Sequence, residues 1–318
     1  MATEWIHPFF NESSIRITKK PYLCRKLCLM KRTYQVAGQK FSLEMPDGNS
    51  YWKSMQSYEP FLVEDDGECL FTVSLLQNLP GISGKQFVRT DEGESDGLYF
   101  ELSELNGEWL FVMLKHGEDL PLVYLFTDKA FKQGRIYLES DAVFLMHTML
   151  LLLFSLATAG RGALMMHASV TMCDGKGYLF LGRSGTGKST HSQLWIDNIP
   201  GCELLNDDNP VLYIDSEGII RVSGTPWSGK TPCYRNITVP VGAIVRIRQA
   251  KENKIQRLSF PEAYAILFAS YSGYHALRQL ADGYHATSEK VVTSVPFYVL
   301  DCLPDADAAF LCHNTVAH

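Results

Sequence analysis

No segment constrains this chain more than Gly182-Arg-Ser-Gly-Thr-Gly187-Lys188-Ser189-Thr190, which satisfies G-x-x-x-x-G-K-S/T. The pattern carries chemistry only between a strand and a helix. Both are present: the apolar run Tyr178-Leu-Phe-Leu181 precedes it, and a helix is predicted from about Lys188 to Ile196. Gly182, Gly185 and Gly187 let successive backbone N–H groups turn inward around phosphate oxygens, with Ser184, Thr186 and Thr190 in the same cradle. The helix that begins near Lys188 points its positive end at the same place. Lys188 adds a mobile charge for the outer phosphates, and the Ser189 hydroxyl is a hard oxygen suited to Mg²⁺. The segment therefore predicts a site for ATP with Mg²⁺.

Phosphoryl transfer needs more than a cradle. A carboxylate must complete the metal shell, and a base must orient or deprotonate the acceptor. Asp207 and Asp208 end the apolar strand that follows the loop helix, at Cys202-Glu-Leu-Leu-Asn-Asp-Asp208. Neighbouring residues on a strand face opposite sides, so the two carboxylates are expected to divide metal binding and acceptor activation, in an order that spacing does not fix. The run Asp207-Asp208-Asn209-Pro210 also suits a plain turn. His167, in Met165-Met-His-Ala-Ser169, is a further candidate beside the reading of a buried core histidine. Lys230 and Arg235, after the glycine-flanked Trp227-Ser228, are candidate phosphate or acceptor contacts, or an exposed structural turn.

The order of elements predicts an α+β protein. Strand-like runs dominate the first part, among them YQVAGQKFSLEM, CLFTVSLL, GLYFELSEL, EWLFVMLKH, PLVYLF and RIYLES. Asn106-Gly107 between two of them predicts a tight hairpin, because both residues tolerate positive φ. The hairpin Val211-Leu-Tyr-Ile-Asp and Ile219-Ile-Arg-Val, joined across Ser216-Glu217-Gly218, requires antiparallel strands, so the sheet around the loop is expected to be mixed. Phe260 to Gln279 reads as one helix, and Val295-Pro-Phe-Tyr-Val-Leu300 as a closing strand. The expected division is a mainly β unit over 1–135 and a nucleotide-binding unit over 136–318.

Composition excludes several classes. With 318 residues, 46% apolar, the chain can bury a large core, and a net charge of −6 argues against nucleic acid as partner. The basic stretch Arg16, Lys19, Lys20, Arg25, Lys26, Lys31 and Arg32 reads as a solvated arm or as a dock for an acidic partner. Ala142 to Ala159 is almost wholly apolar, but His147, Thr148, Ser155 and Thr158 interrupt it, so it is expected as a buried helix rather than a membrane span. The eight cysteines lie far apart without a C-x-x-C pair and are expected as thiols. The first residues do not read as a secretory signal, and a cytoplasmic setting follows.

Taken together, His167-Ala168-Ser169, the loop Gly182 to Ser189 and Asp207-Asp208 resemble the catalytic domain of bacterial HPr kinase/phosphorylase, over roughly residues 160 to 245. That domain shares its phosphate-loop fold with phosphoenolpyruvate carboxykinase. The resemblance implies a mixed-sheet domain that binds ATP and Mg²⁺, His167 in the active site, and Asp207 and Asp208 as metal contact and general base. It also implies relatives that form oligomers. The family's Glu-x-Arg-Gly-x-Gly signature is not found; Gly224-Thr-Pro-Trp-Ser-Gly-Lys230 stands in the comparable region. The β-rich first part does not resemble the family's regulatory domain.

Three functions fit these residues. The first is a kinase acting on a hydroxyl of a protein serine, a peptide or a small molecule. The second is a carboxykinase-type enzyme, and the third a nucleotide-responsive binding module without turnover.

Overall fold

A computed structural model describes residues 28–82, 88–95, 97–118, 120–139, 143–274 and 277–317. The basic stretch up to Lys26, and Cys24 within it, lie outside the described residues. Of its remaining members, Lys31 pairs with Asp65 at 2.8 Å, and Arg32 pairs with Glu59 at 2.8 Å while lying over the Trp52 ring. Both are engaged by their own chain.

The first part is one nine-stranded sheet, in the order β3-β1-β2-β4-β9-β8-β7-β6-β5. Its strands are β1 (Leu29–Val36), β2 (Gln39–Pro46), β3 (Leu62–Val63), β4 (Phe71–Leu75), β5 (Val88–Ser95), β6 (Leu98–Leu105), β7 (Glu108–Lys115), β8 (Val123–Thr127) and β9 (Gln133–Leu138). A 3-10 segment, Ser50–Phe61, packs Tyr51, Trp52, Met55, Tyr58 and Phe61 inward. The expected Asn106-Gly107 turn joins β6 to β7, with φ of 52° and 85° at its two residues. The sheet is mixed, because β4 runs parallel to both β2 and β9.

The second part begins with α1 (Val143–Thr158), the apolar helix read from the sequence. Apolar contact on two sides explains why it is apolar nearly all round: it packs on β8 and β9 of the first sheet and on β10 (Ala163–Met165) of the second. Gly134 on β9 lets it close in, since a Cβ there would stand 2.7 Å from Leu153 Cδ2. Among the described residues, no helix is long and apolar enough to cross a membrane.

After β10 come β11 (Ala168–Cys173), β12 (Lys176–Leu181), α2 (Lys188–Asn198), β13 (Glu203–Asp208), β14 (Val211–Ile214), β15 (Ile220–Ser223), β16 (Thr238–Gln249) and β17 (Lys254–Arg257). The chain ends with α3 (Phe260–Phe268), α4 (Arg278–Ser294), β18 (Phe297–Cys302) and α5 (Ala306–Val316). The second sheet runs β10-β14-β15-β16-β12-β11-β13, with β18 beside β16 and β17 beside β18. It is mixed as expected: β12–β16 and β16–β18 are parallel, and the other pairs are antiparallel.

Two expectations are corrected. The single helix expected over Phe260 to Gln279 ends at Phe268, because Tyr271 bridges back to Met166 and Ser272 N–H donates to Met165. The chain is helical again only from Arg278. The cysteines are not all separate thiols: Cys173, at the end of β11, and Cys202, just before its partner strand β13, form a disulfide.

The two sheets share one core. Phe154 of α1 lies 5.9 Å from the Phe41 ring on β2 and 5.4 Å from the Trp227 ring beyond β15, and all three are buried. Phe154→Ala is therefore expected to cost about 3–5 kcal/mol. It should lower one cooperative unfolding transition for the whole chain, read by circular dichroism during denaturant titration. Two transitions, only one of them displaced, would contradict a shared core.

Candidate functional site

Strand pairing assembles the site before any side chain is considered. Ala168 of β11 pairs with Leu181 of β12 on one side and Asp208 of β13 on the other. Three strand ends thus stop at one level, with His167 just before the first and Gly182 just after the second. The parallel pairing of β12 with β16 adds Arg246 opposite Leu181. Sequence positions 167, 182, 208 and 246 share one sheet edge for this reason alone.

The loop leaves β12 at that edge and enters α2. Gly187 caps the helix with φ of 101°, a left-handed conformation that costs glycine little. No side chain caps the helix, so its first amides face the loop. Lys188 is buried, and its Nζ donates to the Gly182 carbonyl at 3.1 Å and to His167 Nε2 at 3.1 Å. Burial pushes the Lys188 ammonium below its usual value, and the charges of Asp208 and Asp207 pull part of that shift back.

Two carboxylates meet this loop in different ways. The Ser189 hydroxyl donates to Asp207 Oδ1 at 2.9 Å. His167 Nδ1 lies 3.2 Å from Asp208 Oδ1. Since Nε2 accepts from Lys188, Nδ1 carries the proton and donates to Asp208, a tautomer fixed by its partners. Lys188, His167 and Asp208 therefore form a continuous polar chain. Asp208 has φ of 112°, rare for any residue but glycine, and strain of that kind gathers at functional sites. Asn206 helps to hold it, accepting from Asn209 N–H at 3.0 Å and donating to the Trp227 carbonyl at 3.2 Å.

The segment after β15 folds back onto the carboxylates. Ser228 bridges Asp208, and Gly229 N–H donates to the Asp207 carbonyl at 2.6 Å. Lys230 is exposed immediately beyond this contact. Arg235 is engaged away from the loop, donating to the Leu204 carbonyl at 2.8 Å and to Glu203 at 2.6 Å. Of the two cations singled out by sequence, Arg235 is engaged elsewhere, and Lys230 has no acidic partner among the described residues.

Sequence reasoning missed three contributors. Arg246 and Arg183 line a cavity of about 270 Å³ beside His167, closed on its far side by Ile266 and Ser270 at the end of α3. Among the described residues, neither arginine has an acidic partner. Gln249 donates to the Gly185 carbonyl at 3.2 Å and lines a second cavity, of about 420 Å³, with Thr186, Leu194, Cys302 and Pro304. His191 is held down to about 4 by burial and accepts from Trp195 Nε1 at 3.1 Å, so it is a neutral packing group behind the loop. The alternation Val245-Arg246-Ile247-Arg248 is the signal that could have found Arg246. The same pattern offers Arg248, which is tied to Asp301 by two bonds of 2.6 Å.

The donor set suits a magnesium–nucleotide. Asp207 and Ser189 present hard oxygens on one side of the loop, and the loop amides with Lys188 present positive charge to phosphate oxygens. No protein-family model matches the chain, and no curated protein matches it.

Burial by itself raises the Asp208 carboxyl, but the hydrogen bond from His167, the charge of Lys188 and the Asn209 amide outweigh it, and the group is held below its ordinary 3.8. A depressed carboxyl stabilises the fold above its unfolded value and loses that contribution as pH falls through the folded one. Below about pH 4, the wild type should therefore lose stability more steeply than Asp208→Asn in denaturant titrations. Parallel curves would contradict the hold of His167 and Lys188 on Asp208.

Proposed function

We propose that this chain is an ATP- and Mg²⁺-dependent phosphotransferase whose acceptor is a hydroxyl group. One observation carries the reading: Asp207 is tied to the loop serine, while Asp208 is tied through His167 to the loop lysine. A phosphate loop that merely held nucleotide would have no use for the second arm.

In this reading Ser189 and Asp207 hold Mg²⁺. Bound there, the ion would neutralise charge on the outer phosphate oxygens. The loop amides and Lys188 hold the triphosphate and fix the direction from which the acceptor must approach. Asp208 takes the acceptor's hydroxyl proton on a carboxylate oxygen as the new oxygen–phosphorus bond forms and the bond from the γ-phosphorus to the β,γ-bridging oxygen breaks, with ADP as the leaving group. His167 positions that carboxylate and, with Lys188, keeps it ionised. The cavity beside His167 takes the acceptor, and Arg183 and Arg246 at its wall balance negative charge on the transferring group. The cavity at Gln249 and Pro304, on the opposite side of the loop, suits the nucleotide base.

The finer fold assignment belongs to the same proposal. His167-Ala168-Ser169, the loop, the Asp pair and the antiparallel β11–β12 hairpin that feeds the loop all support a domain of the HPr kinase and phosphoenolpyruvate carboxykinase type. The acceptor is a protein serine, a peptide or a small molecule, and ATP as substrate places the reaction in the cytoplasm. Arg235, the cation that a carboxykinase reading would use for an acid substrate, is bound to Glu203 instead, which favours the kinase.

The test is a comparison of wild type with the double variant Asp207→Asn, Asp208→Asn. ADP formed from MgATP, with water as the fallback acceptor, is expected to fall by about 100-fold or more, while ATP affinity measured without metal changes little. Equal ADP formation by the two proteins would remove both carboxylates from the reaction.

A further inference from the structure

The opposite ends of the same strands carry a second cluster. Cys173 ends β11, Asp174 begins the turn into β12, and Cys202 stands just before β13, with Cα atoms of the two cysteines 4.4 Å apart. His313 comes from the last turn of α5. One ligand atom each of Cys173, Asp174 and His313 lies within 4.8 Å of the others. His313 Nε2 is buried and has no hydrogen-bond partner, an arrangement that costs free energy unless something occupies the lone pair or the N–H. Cys173 and Cys202 are buried, whereas Asp174 is exposed and gives the cluster an opening to solvent.

We propose that, once the Cys173–Cys202 bond is reduced, Cys173, Cys202, Asp174 and His313 bind one zinc ion. Two thiolates, an imidazole and a carboxylate are all established zinc ligands, and four of them suit the ion's tetrahedral preference. In such a site ligand atoms stand roughly 3–4 Å apart, so Asp174 and His313 need to close in on Cys173 while the two sulfurs, bonded to each other in the disulfide, move apart. The chemistry balances with a dithiol reductant. It gives two electrons and two protons to the Cys173–Cys202 bond, becoming a disulfide itself, and each freed thiol then releases its proton to solvent as its sulfur bonds to zinc. The oxidised chain keeps both sulfurs in covalent bonds and has no thiolate to offer, so disulfide and zinc are alternative clasps at one point.

The location gives the clasp a purpose independent of the nucleotide reading. It joins the hairpin that feeds the phosphate loop, the turn between α2 and the strand ending in Asp207-Asp208, and α5, which packs on α2. The disulfide pins the first two segments at the end of the sheet remote from the loop, and zinc held by His313 as well would pin all three.

The full chain, purified with and without dithiothreitol, would be equilibrated with zinc, passed through gel filtration, and assayed for bound metal by mass spectrometry. The reduced wild type is expected to retain about one zinc per chain and the oxidised protein none. His313→Ala and, at the exposed position, Asp174→Ala should each weaken zinc binding by about tenfold or more. Cobalt in place of zinc should give a thiolate-to-cobalt charge-transfer band that Cys173→Ser weakens. Lys188→Ala should bind zinc like the wild type, which separates this site from the nucleotide loop. Absence of zinc from the reduced chain, or unchanged affinity in both His313→Ala and Asp174→Ala, would overturn the proposal.

Discussion

Everything at the loop edge depends on the antiparallel pairing of β11 with both β12 and β13. Parallel strands need long crossovers, so neighbours in such a sheet come from distant segments, each followed by its own helix. Here a two-residue turn at Asp174-Gly175 returns the chain from β11 straight into the strand that feeds the glycine loop. That return places His167, just before β11, level with Gly182, just after β12. The third strand then delivers Asp208 to the same level. Without this pairing, the histidine, the lysine and the carboxylates would be unrelated residues.

The first sheet matters to this edge through packing rather than chemistry. Trp227 stands immediately before Ser228, which bridges Asp208, and its ring stacks 6.3 Å from Phe41 of the first sheet. The segment that closes over the two aspartates is thereby anchored in the shared core. Thr225 adds to the anchor, accepting from Asn206 at 3.3 Å and donating to the Asn209 carbonyl at 2.7 Å. The strained backbone of Asp208 is held from both sides, which is how a conformation of this kind persists.

Much of this was legible in the sequence, for physical reasons. Loop, strand and helix follow from glycine spacing and apolar periodicity, both local. The turns at Asn106-Gly107 and Ser216-Glu217-Gly218 follow from residues that tolerate unusual φ, also local, and they fixed the mixed character of the sheet. The division of Asp207 and Asp208 between two neighbours follows from strand alternation. What escaped was non-local. The break after Phe268 is held by hydrogen bonds to Met165 and Met166, about a hundred residues earlier, and its one local signal is Ser270-Tyr-Ser272-Gly273, which the apolar spacing overrode in the helical reading. Arg246 reaches the edge through a parallel pairing across some sixty residues, and the Cys173–Cys202 pair through the register of two strands. Arg235 looked free in sequence because its partner Glu203 belongs to a separate strand.

The central claim is that Gly182 to Ser189 holds a magnesium–nucleoside triphosphate, and thermal unfolding tests it most directly. Wild type and Lys188→Ala would be melted with and without MgATP. A ligand at about a hundred times its dissociation constant adds roughly 2.7 kcal/mol to the stability of the folded state. The account requires a clear rise in the midpoint of the wild type and little or none in Lys188→Ala. An unchanged midpoint in both proteins at saturating MgATP, with GTP and pyrophosphate equally silent, would contradict it.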